Sequence, residues 1–240
     1  MNTTRILLVG DGRLAKHLMH WHIQNSSHIE LKLWNRSISD AFNKLKIELA
    51  ALKKDDLIWL AISDRSIVEF YEQSILKNSC PATVVHFSGV VYDSRISGAH
   101  PLMTFPDELL PTSTYPQIHF AVDFKDLELE NVLPGFKNES FFIPPEQKAK
   151  YHALCVLAGN FPQILWSLTQ QSFSELQVPE GAQKIYIQQV VENYLKLGSS
   201  SVTGPLVRKD LTTIEKNLNA LEEKKNLHHI YKTFVEVMGL

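Results

Sequence analysis

The sequence predicts an α/β fold in which a Rossmann-type, mostly parallel sheet carries helices on both faces and is followed by a smaller all-α domain. Three observations support this prediction. Short apolar runs alternate with longer amphipathic segments as far as Phe87, a glycine-rich turn follows the first run, and only helical patterns remain after Glu146. Strands that alternate with helices of these lengths are typical of βαβ units. We therefore expect an α/β domain over residues 1–145 and a helical domain over 146–240.

The predicted elements of the first domain follow one another in regular order. The segment RILLV is continuously apolar, as expected of a strand buried on both faces of a parallel sheet. After residue 95 the helical patterns thin out, and the last strand-like run ends at Pro144 and Pro145. The predicted order is strand 5–9, helix 10–23, strand 29–35, helix 39–52, strand 56–62, helix 64–76, strand 82–87, and three short strands within 97–102, 117–124 and 139–145.

The helical domain is predicted from the spacing of its apolar residues. These recur at helical intervals from Tyr151 to Leu168, and a second helix over 180–197 is expected to end at Gly198. Asp210 is a suitable N-cap for a third helix, and a fourth is expected over 227–238. Between the second and third helices, SSSVTGPLVRKD is predicted to be a flexible polar loop.

The composition excludes several classes of protein. The chain has 240 residues, 44% of them hydrophobic and 21% charged, which is typical of a globular protein. A net charge of -2 gives no basic excess for a nucleic-acid partner. No apolar run approaches the roughly 20 residues that span a membrane. Because the chain has only two cysteines, Cys80 and Cys155, and no apolar signal-peptide core, we expect a cytoplasmic protein without disulfides.

The strongest local motif is the glycine loop LLVGDGRLA, which follows the first strand and opens a helix. Gly10 permits a tight turn, Gly12 lets a pyrophosphate approach the backbone, and Ala15 allows close packing of helix and strand. The phosphates would then lie against free N–H groups at the helix start. The alternative is a glycine turn without a ligand. The other loop residues are Asp11, Leu14 and Arg13, of which Arg13 could add a positive charge near the phosphates.

The end of the second strand indicates which dinucleotide the loop would hold. An Asp or Glu at this position would bind the ribose hydroxyl of NAD, but the chain has Asn35, Arg36 and Ser37. A guanidinium and two hydrogen-bonding side chains suit a 2′-phosphate, so NADP is favoured over NAD. The alternative for Arg36 is a solvated loop charge. Ile62 and Ser63 follow the third strand and are expected along the cofactor, although Ser63 could instead cap the next helix.

Two short motifs, HFSG and AHPLMTF, suggest a reaction centre. His86 and Ser88 leave the fourth strand, and His100 leaves the next one on the same side if that strand is parallel. Hydride transfer to or from an alcohol or carbonyl needs a proton acceptor or donor, which histidine can provide near neutral pH. We expect His100 to be the acid or base, Ser88 to orient and His86 to contact the substrate. The alternative is that His86 is an interior residue and His100 only precedes a proline turn.

The motifs GDGRLA, HFSG, GAHPLMTF and TGPLVRKDLTT stand in the order and spacing of a bacterial family provisionally described as NADP oxidoreductases, which the chain resembles over nearly its whole length. That family pairs a Rossmann-like domain with a helical C-terminal domain of unknown function. It is similar to prephenate dehydrogenase, pyrroline-5-carboxylate reductase, deazaflavin-dependent NADP reductase and 6-phosphogluconate dehydrogenase-like proteins. The resemblance to prephenate dehydrogenases implies that Ser88 and His100 act at the substrate. The chain departs from the family at Lys209, where glycine is usual, and at Asn217, where histidine is frequent.

Two residues of the helical domain are candidates for closing the site. Gly159 and Pro162 should kink the first long helix and free carbonyl groups near Asn160. Arg208, which belongs to the family signature, could bind an acidic group of the substrate from the polar loop. Curvature of the helix and solvated charges are the simpler alternatives.

The sequence as a whole predicts an NADP-dependent oxidoreductase that acts on a small substrate and forms a homodimer through its helical domain. A metal site at His17 and His20 is disfavoured because no further ligand has suitable spacing. One rival hypothesis is a sensor or scaffold that binds the dinucleotide without chemistry. A second is a flavin or deazaflavin reductase with a flat second site beside the nicotinamide.

Overall fold

The structure, a computed structural model, describes residues 4–26 and 28–240. Its first part is a seven-stranded sheet of order β2-β1-β3-β4-β5-β6-β7. Strands β1 to β5 pair in parallel, β6 runs antiparallel to β5, and β7 is parallel to β6. The predicted α/β class with a mostly parallel sheet is therefore confirmed. The strands are β1 (Arg5–Val9), β2 (Glu30–Trp34), β3 (Leu57–Leu60), β4 (Thr83–His86), β5 (Ser97–Pro101), β6 (Phe120–Val122) and β7 (Ser140–Phe142).

The helices lie between these strands and then follow one another along the last third of the chain. Two of them continue into π-helical turns, at Tyr71–Leu76 and at Val156–Asn160. The α-helices are α1 (Arg13–Ser26), α2 (Ala41–Ala51), α3 (Asp64–Phe70), α4 (Leu129–Val132), α5 (Lys148–Cys155), α6 (Phe161–Glu175), α7 (Glu180–Leu197), α8 (Pro205–Arg208), α9 (Leu211–Ala220) and α10 (Lys225–Val237).

The central strands are buried on both faces, as the apolar run RILLV predicted. Successive side chains of a strand point to opposite faces of the sheet. In β1, Leu8 therefore packs in one core cluster with Trp21 of α1, and Leu7 packs in a second cluster with Leu45 of α2 and Ile67 of α3. This two-sided burial fixes the register of the strands, so the ends of the strands form a well-defined edge.

The chain divides into two compact units, of which the first ends at Gly159 and the second is Asn160–Leu240. The sequence predicted a division after residue 145. The later boundary has a physical cause, since α5 is held to the sheet by side-chain bonds. Lys148 is paired with Asp123, next to β6, and Tyr151 is hydrogen bonded to His100 of β5.

The second unit consists of helices whose ends follow the sequence closely. Helix α7 has the bounds predicted for it, and Asp210 caps α9 by accepting a hydrogen bond from Thr213 N at 3.1 Å. The segment predicted as a loop between them is more regular than expected. It contains a 3-10 turn over Gly198–Ser201 and helix α8, because Pro205 is well suited to the first turn of a helix.

Both departures from the family pattern have a structural consequence. Lys209 ends α8 in a left-handed conformation, with φ of 55°, where a glycine would be unstrained. Asn217 donates a hydrogen bond from Nδ2 to the hydroxyl of Tyr231 at 2.9 Å, which links α9 to α10.

Across the part of the chain that the structure describes, no helix combines the length and apolar character needed to cross a membrane.

Candidate functional site

A cleft of about 710 Å³ lies at the carboxyl ends of β1, β2 and β3. In open α/β sheets this edge is where ligands bind. Every predicted cofactor residue except Ala15 and Ser37 lines it. The predicted residues in its wall are Gly10, Asp11, Gly12, Arg13, Leu14, Asn35, Arg36, Ile62 and Ser63.

The two glycines of the loop have different roles. Gly10 has a φ of 125°, and a Cβ on it would clash with the carbonyl oxygen of Ala61. Its backbone N–H donates to Trp34 O at 2.9 Å, so Gly10 joins the ends of three strands. At Gly12, by contrast, the position a Cβ would take has no atom within 4 Å from any described residue beyond Gly12 and its two neighbours in the chain. The fold therefore requires Gly10, whereas the open space at Gly12 would accommodate a closely approaching ligand.

Helix α1 begins beside Gly12 and has no acidic residue in its first turn. The first amides of a helix lack intrahelical partners and favour an anion. Ala15 is buried in the core, which agrees with its predicted part in close helix–strand packing. The glycine loop and the start of α1 thus fit the pyrophosphate of a dinucleotide.

The loop after β2 presents one uncommitted cation to the cleft. Asn35 Oδ1 accepts a hydrogen bond from Ser37 N at 2.9 Å and so shapes the turn, while the Ser37 side chain is exposed. Arg36 is exposed, lines the cleft and makes no ion pair with any residue that the structure describes. No carboxylate follows β2 in this loop, so a phosphate here would meet the Arg36 guanidinium, while the carboxylates of Asp11 and Glu69 line other parts of the cleft wall.

Arg13, the second predicted cation, is already engaged. Its Nε and its terminal nitrogen donate to the two carboxylate oxygens of Asp107, at 2.9 and 3.2 Å. The bidentate contact raises the pKa of Arg13 and lowers that of Asp107. A phosphate near Arg13 would therefore have Asp107 beside it, which makes Arg36 the stronger anion site.

Ser63 lies immediately before α3 but does not cap it through its side chain. Its hydroxyl is instead 3.0 Å from that of Ser66. Both serines line the cleft with Ile62. The capping alternative for Ser63 is therefore not what the structure shows.

A second group of polar residues lies on the sheet beside this cleft. It consists of His86 at the end of β4, His100 in β5, Asp123 after β6, and Lys148 and Tyr151 on α5, and we call it the histidine cluster. His86 pairs in register with Gly98, and His100 with Ala121, so strand alternation brings both histidines and Asp123 to one face. Since β4 is the neighbour of β3, the cluster adjoins the edge that carries the cleft.

The histidine cluster contains an ion pair between Lys148 and Asp123. Lys148 Nζ lies 2.7 Å from Asp123 Oδ2, and the Gly98 N–H donates to Asp123 Oδ1 at 2.6 Å. A Cβ on Gly98 would come within 2.7 Å of Lys148 Nζ. Glycine at position 98 is therefore required by the ion pair.

His86 is completely buried, with 0% of its surface exposed. Its Nδ1 accepts a hydrogen bond from Ser88 N at 3.2 Å, so the proton of the neutral ring is on Nε2. Nε2 has no hydrogen-bond partner in the described residues and lies 3.9 Å from Asp123 Oδ2. Burial, followed by the charge of Lys148, lowers the pKa of His86 to about 3. Contact with a substrate, as predicted for His86, would require this region to open.

His100 is half-buried and is the more accessible of the two histidines. Its Nδ1 lies 2.9 Å from the Tyr151 hydroxyl, and the two rings pack edge to face. Burial, and after it the neighbouring His152 and Lys148, lowers the pKa of His100 to about 4. His100 is consequently neutral at pH 7.

Ser88 is buried and its hydroxyl oxygen accepts hydrogen bonds from Val90 N and Val91 N, at 3.2 and 3.1 Å. These bonds shape the turn after β4. Ser88 thus has a structural role in addition to the one predicted for it at a substrate. Because its oxygen already accepts two hydrogen bonds, only its hydroxyl proton is left to bind a substrate.

The predicted residues of the helical domain lie in the second unit. Asn160 is exposed at the end of the π-helical turn that precedes Pro162, where the kink was expected. Arg208 is exposed at the end of α8. Their part in closing a site stays a prediction.

His17, one of the two histidines considered for a metal, is part of the core. Its Nδ1 lies 2.7 Å from the Tyr115 hydroxyl and its Nε2 is 3.0 Å from Pro106 O. These bonds satisfy both ring nitrogens. Within the described residues, no group of histidine, cysteine and acidic side chains is arranged to hold a metal ion.

Part of the chain matches a known protein family model. Residues 125–237 match the family model of a domain of unknown function, DUF2520. This range covers β7 and the helices of the second unit. Curated protein sequences include no match to the chain.

Solved structures share the fold over almost the whole chain. BF3122 from Bacteroides fragilis, provisionally described as an NADP oxidoreductase, has a TM-score of 0.75 at 18% identity and covers 98% of each chain. TM1727 from Thermotoga maritima has a TM-score of 0.67 at 23% identity, over 97% of this chain and 96% of that one. Plasmodium falciparum pyrroline carboxylate reductase with NADP bound has a TM-score of 0.55 at 11% identity, over 99% and 100%. These matches confirm the predicted resemblance at the level of the fold.

Proposed function

We propose that this protein is an NADP-dependent oxidoreductase that transfers a hydride to or from a small substrate. The observation that carries the proposal is the cleft at the ends of β1 to β3. It combines a glycine loop, the start of α1 and the unpaired guanidinium of Arg36, with no carboxylate after β2. These features suit a dinucleotide that carries a 2′-phosphate.

The choice of NADP over NAD depends on Arg36. A permanently charged, planar guanidinium binds phosphate oxygens well, and a carboxylate in its place would repel them. The carboxylate of Asp107 near the glycine loop is paired with Arg13. Two proteins of the same fold support this choice: BF3122 by its provisional description and the Plasmodium falciparum reductase by the NADP in its structure.

The histidine cluster, on the strands next to the cleft, supplies groups for a reaction. Bound NADPH would provide the hydride. His100 is the more accessible histidine of the cluster, and the hydroxyl proton of Ser88 is not used in the two bonds that shape the turn after β4. Lys148 and Asp123 are buried below and hold α5 against the sheet. We expect His100 to contact the reacting group, Ser88 to orient it, and Arg208 to bind any acidic group of the substrate.

Calorimetric titration of the purified protein with NADPH and with NADH tests the proposal. NADPH should bind at least roughly tenfold more tightly, a difference of about 1.4 kcal/mol. Replacement of Arg36 by alanine should remove this preference, because the charge that faces the 2′-phosphate is lost.

The matched control is Arg65→Ala, since Arg65 is also exposed but does not line the cleft. That variant should keep the preference for NADPH. Failure of the native protein to bind either nucleotide would refute the proposal. Equal binding of both would retain the dinucleotide and refute NADP.

A further inference from the structure

The two ring nitrogens of His100 have different surroundings. Nδ1 lies 2.9 Å from the Tyr151 hydroxyl oxygen, whereas Nε2 makes no hydrogen bond within the described residues. A Cβ on Gly89 would lie 2.8 Å from His152 Cδ2 and 3.2 Å from Nε2, so glycine is needed at this position for the two rings to pack against the chain. Gly89 follows the end of β4, next to the strand ends that form the cleft. Nε2 is therefore the ring nitrogen that is left to bind a ligand.

The position of one proton decides what Nε2 can do. A neutral imidazole carries its proton on one nitrogen and accepts a hydrogen bond at the other. If the proton is on Nδ1, Nε2 has a free lone pair and can act as a base. If the proton is on Nε2, that atom can only donate. The direction of the hydrogen bond between His100 and Tyr151 therefore selects between two chemical roles.

Tyr151 has a second neighbour that bears on this direction. Cys155 lies one helical turn further along α5 and interacts with the same hydroxyl. A thiol is a weak acceptor and a weak donor, while an imidazole nitrogen is a strong acceptor. The phenol proton is therefore better used on His100 Nδ1 than on the thiol. Burial and then Cys155 raise the pKa of Tyr151, so its hydroxyl keeps a proton to donate.

We propose that Tyr151 is a positioning residue that holds His100 as the Nε2–H tautomer, so that His100 meets the substrate as a hydrogen-bond donor and not as a base. The substrate part of this inference rests on the proposed oxidoreductase function. A donor fits a substrate atom that accepts, such as a carbonyl oxygen, which gains negative charge as the hydride of NADPH reaches the adjacent carbon and then takes its proton from solvent. The structure thus favours a substrate with a carbonyl group.

The charges around His100 are compatible with this role. Lys148 and His152 of α5, His86 of β4 and the carboxylate of Asp123 are the titratable groups near it. Since Asp123 is paired with Lys148, it is not the partner of the His100 ring. His100 therefore stays neutral at pH 7, and its single ring proton must be on one nitrogen or the other.

Nitrogen NMR on protein labelled with ¹⁵N-histidine reads the tautomer directly, without substrate or cofactor. The His100 signals are assigned by their loss in His100→Gln. In the native protein at neutral pH we expect Nε2 to be protonated and Nδ1 to be unprotonated. In Tyr151→Phe the donor is absent, so both signals should move toward those of a mixture of tautomers.

His17 is an internal reference, and Tyr115→Phe is the matched control. Pro106 O can only accept a hydrogen bond, so His17 Nε2 must carry the proton and Nδ1 must accept from Tyr115. Tyr115→Phe removes the same kind of contact at another histidine and should leave the His100 signals unchanged. His17 should remain an Nε2–H tautomer in that variant.

A proton on His100 Nδ1 in the native protein would overturn the inference, and this result does not depend on whether Tyr151→Phe folds. Unchanged His100 signals in a folded Tyr151→Phe protein would overturn the role of Tyr151. The nucleotide titration is independent of both results. A protein that binds NADPH but carries the proton on Nδ1 keeps the proposed function and loses this inference. A protein with the expected tautomer that binds no NADPH keeps the assigned tautomer of His100 and loses the proposed function.

Discussion

Lys148 and Asp123 form an ion pair of 2.7 Å in which the side chains are only 4% and 3% exposed. Removing two charges from water costs several kcal/mol for each ion, and this cost is offset only while both partners and their hydrogen bonds are in place. The pair joins the first turn of α5 to the end of β6. It therefore makes the attachment of α5 depend on two residues at once.

Replacing Lys148 by methionine should lower the free energy of unfolding by about 3–5 kcal/mol, because Asp123 is then a buried charge without a counterion. The double variant Lys148→Met/Asp123→Asn should recover part of this loss, since the amide keeps an acceptor for Gly98 N. Urea denaturation measures both. Lys184→Met is the control, because Lys184 pairs with exposed Glu180 and should cost less than about 1 kcal/mol. Similar small losses in both single variants would contradict the prediction.

Stability should fall as the pH drops from 7 to 5. Burial lowers the pKa of His86 to about 3 and that of His100 to about 4, and it also lowers that of His22. The unfolded chain takes up these protons near pH 6.5, so the unfolded state binds more protons below that pH. The stabilisation is complete above pH 6.5 and decreases toward pH 4. His86 and His100 should each lower the free energy of unfolding by about 2 kcal/mol at pH 5 relative to pH 7.

Denaturation curves at several pH values measure this effect. His100→Gln should remove the part of the pH dependence that comes from His100. A free energy of unfolding that stays constant between pH 7 and pH 5 would show that these rings are not buried as described.

Alanine variants of the two loop glycines should differ in effect: one should lower the stability of the fold and the other should weaken NADPH binding. Gly10→Ala places a Cβ against the Ala61 carbonyl at a φ of 125° and should cost at least about 2 kcal/mol. Gly12→Ala meets no chain atom and should change stability by less than about 1 kcal/mol. It should nevertheless weaken NADPH binding roughly tenfold or more, because the methyl group occupies the space of the pyrophosphate. Normal NADPH affinity in Gly12→Ala would mean that the pyrophosphate is not held there.

We propose that α7 forms an interface with a second copy of the chain. None of its residues is buried, and Ile185 and Leu195 are 71% and 79% exposed. An apolar surface of this kind usually marks an interaction site. Light scattering should give twice the chain mass of 27.4 kDa. Ile185→Glu should shift the protein toward the monomer, whereas Val237→Glu, at an exposed position on α10, should not. A native monomer would refute the interface.

Much of the fold could be predicted because its signals are local. A strand buried on both faces needs a continuous apolar run, as in β1, and a helix end needs a cap, as at Asp210. The glycine loop and the loop after β2 can each be recognised alone, since each directly follows a strand-like run and contains residue types that suit a phosphate. For these reasons the cleft lining was largely foreseen.

The histidine cluster was foreseen only in part, because its members come together through tertiary contacts. Asp123 follows an antiparallel strand and meets Lys148 across 25 residues, and no local pattern marks either of them. The sequence marks Tyr151 only as an apolar position of a helix. A signal was nevertheless present: strand alternation, once the register was known, would have put Asp123 on the face of His86 and His100.

Trp34 gives the cleft a feature that can be used in experiments. Its ring is held by a hydrogen bond of 2.9 Å from Nε1 to Ala41 O, and it lines the same cleft as Arg36. The fluorescence emission of an indole overlaps the absorption of reduced nicotinamide. A bound NADPH would therefore receive excitation energy from Trp34, and occupancy of the cleft could be followed by light emission without a label.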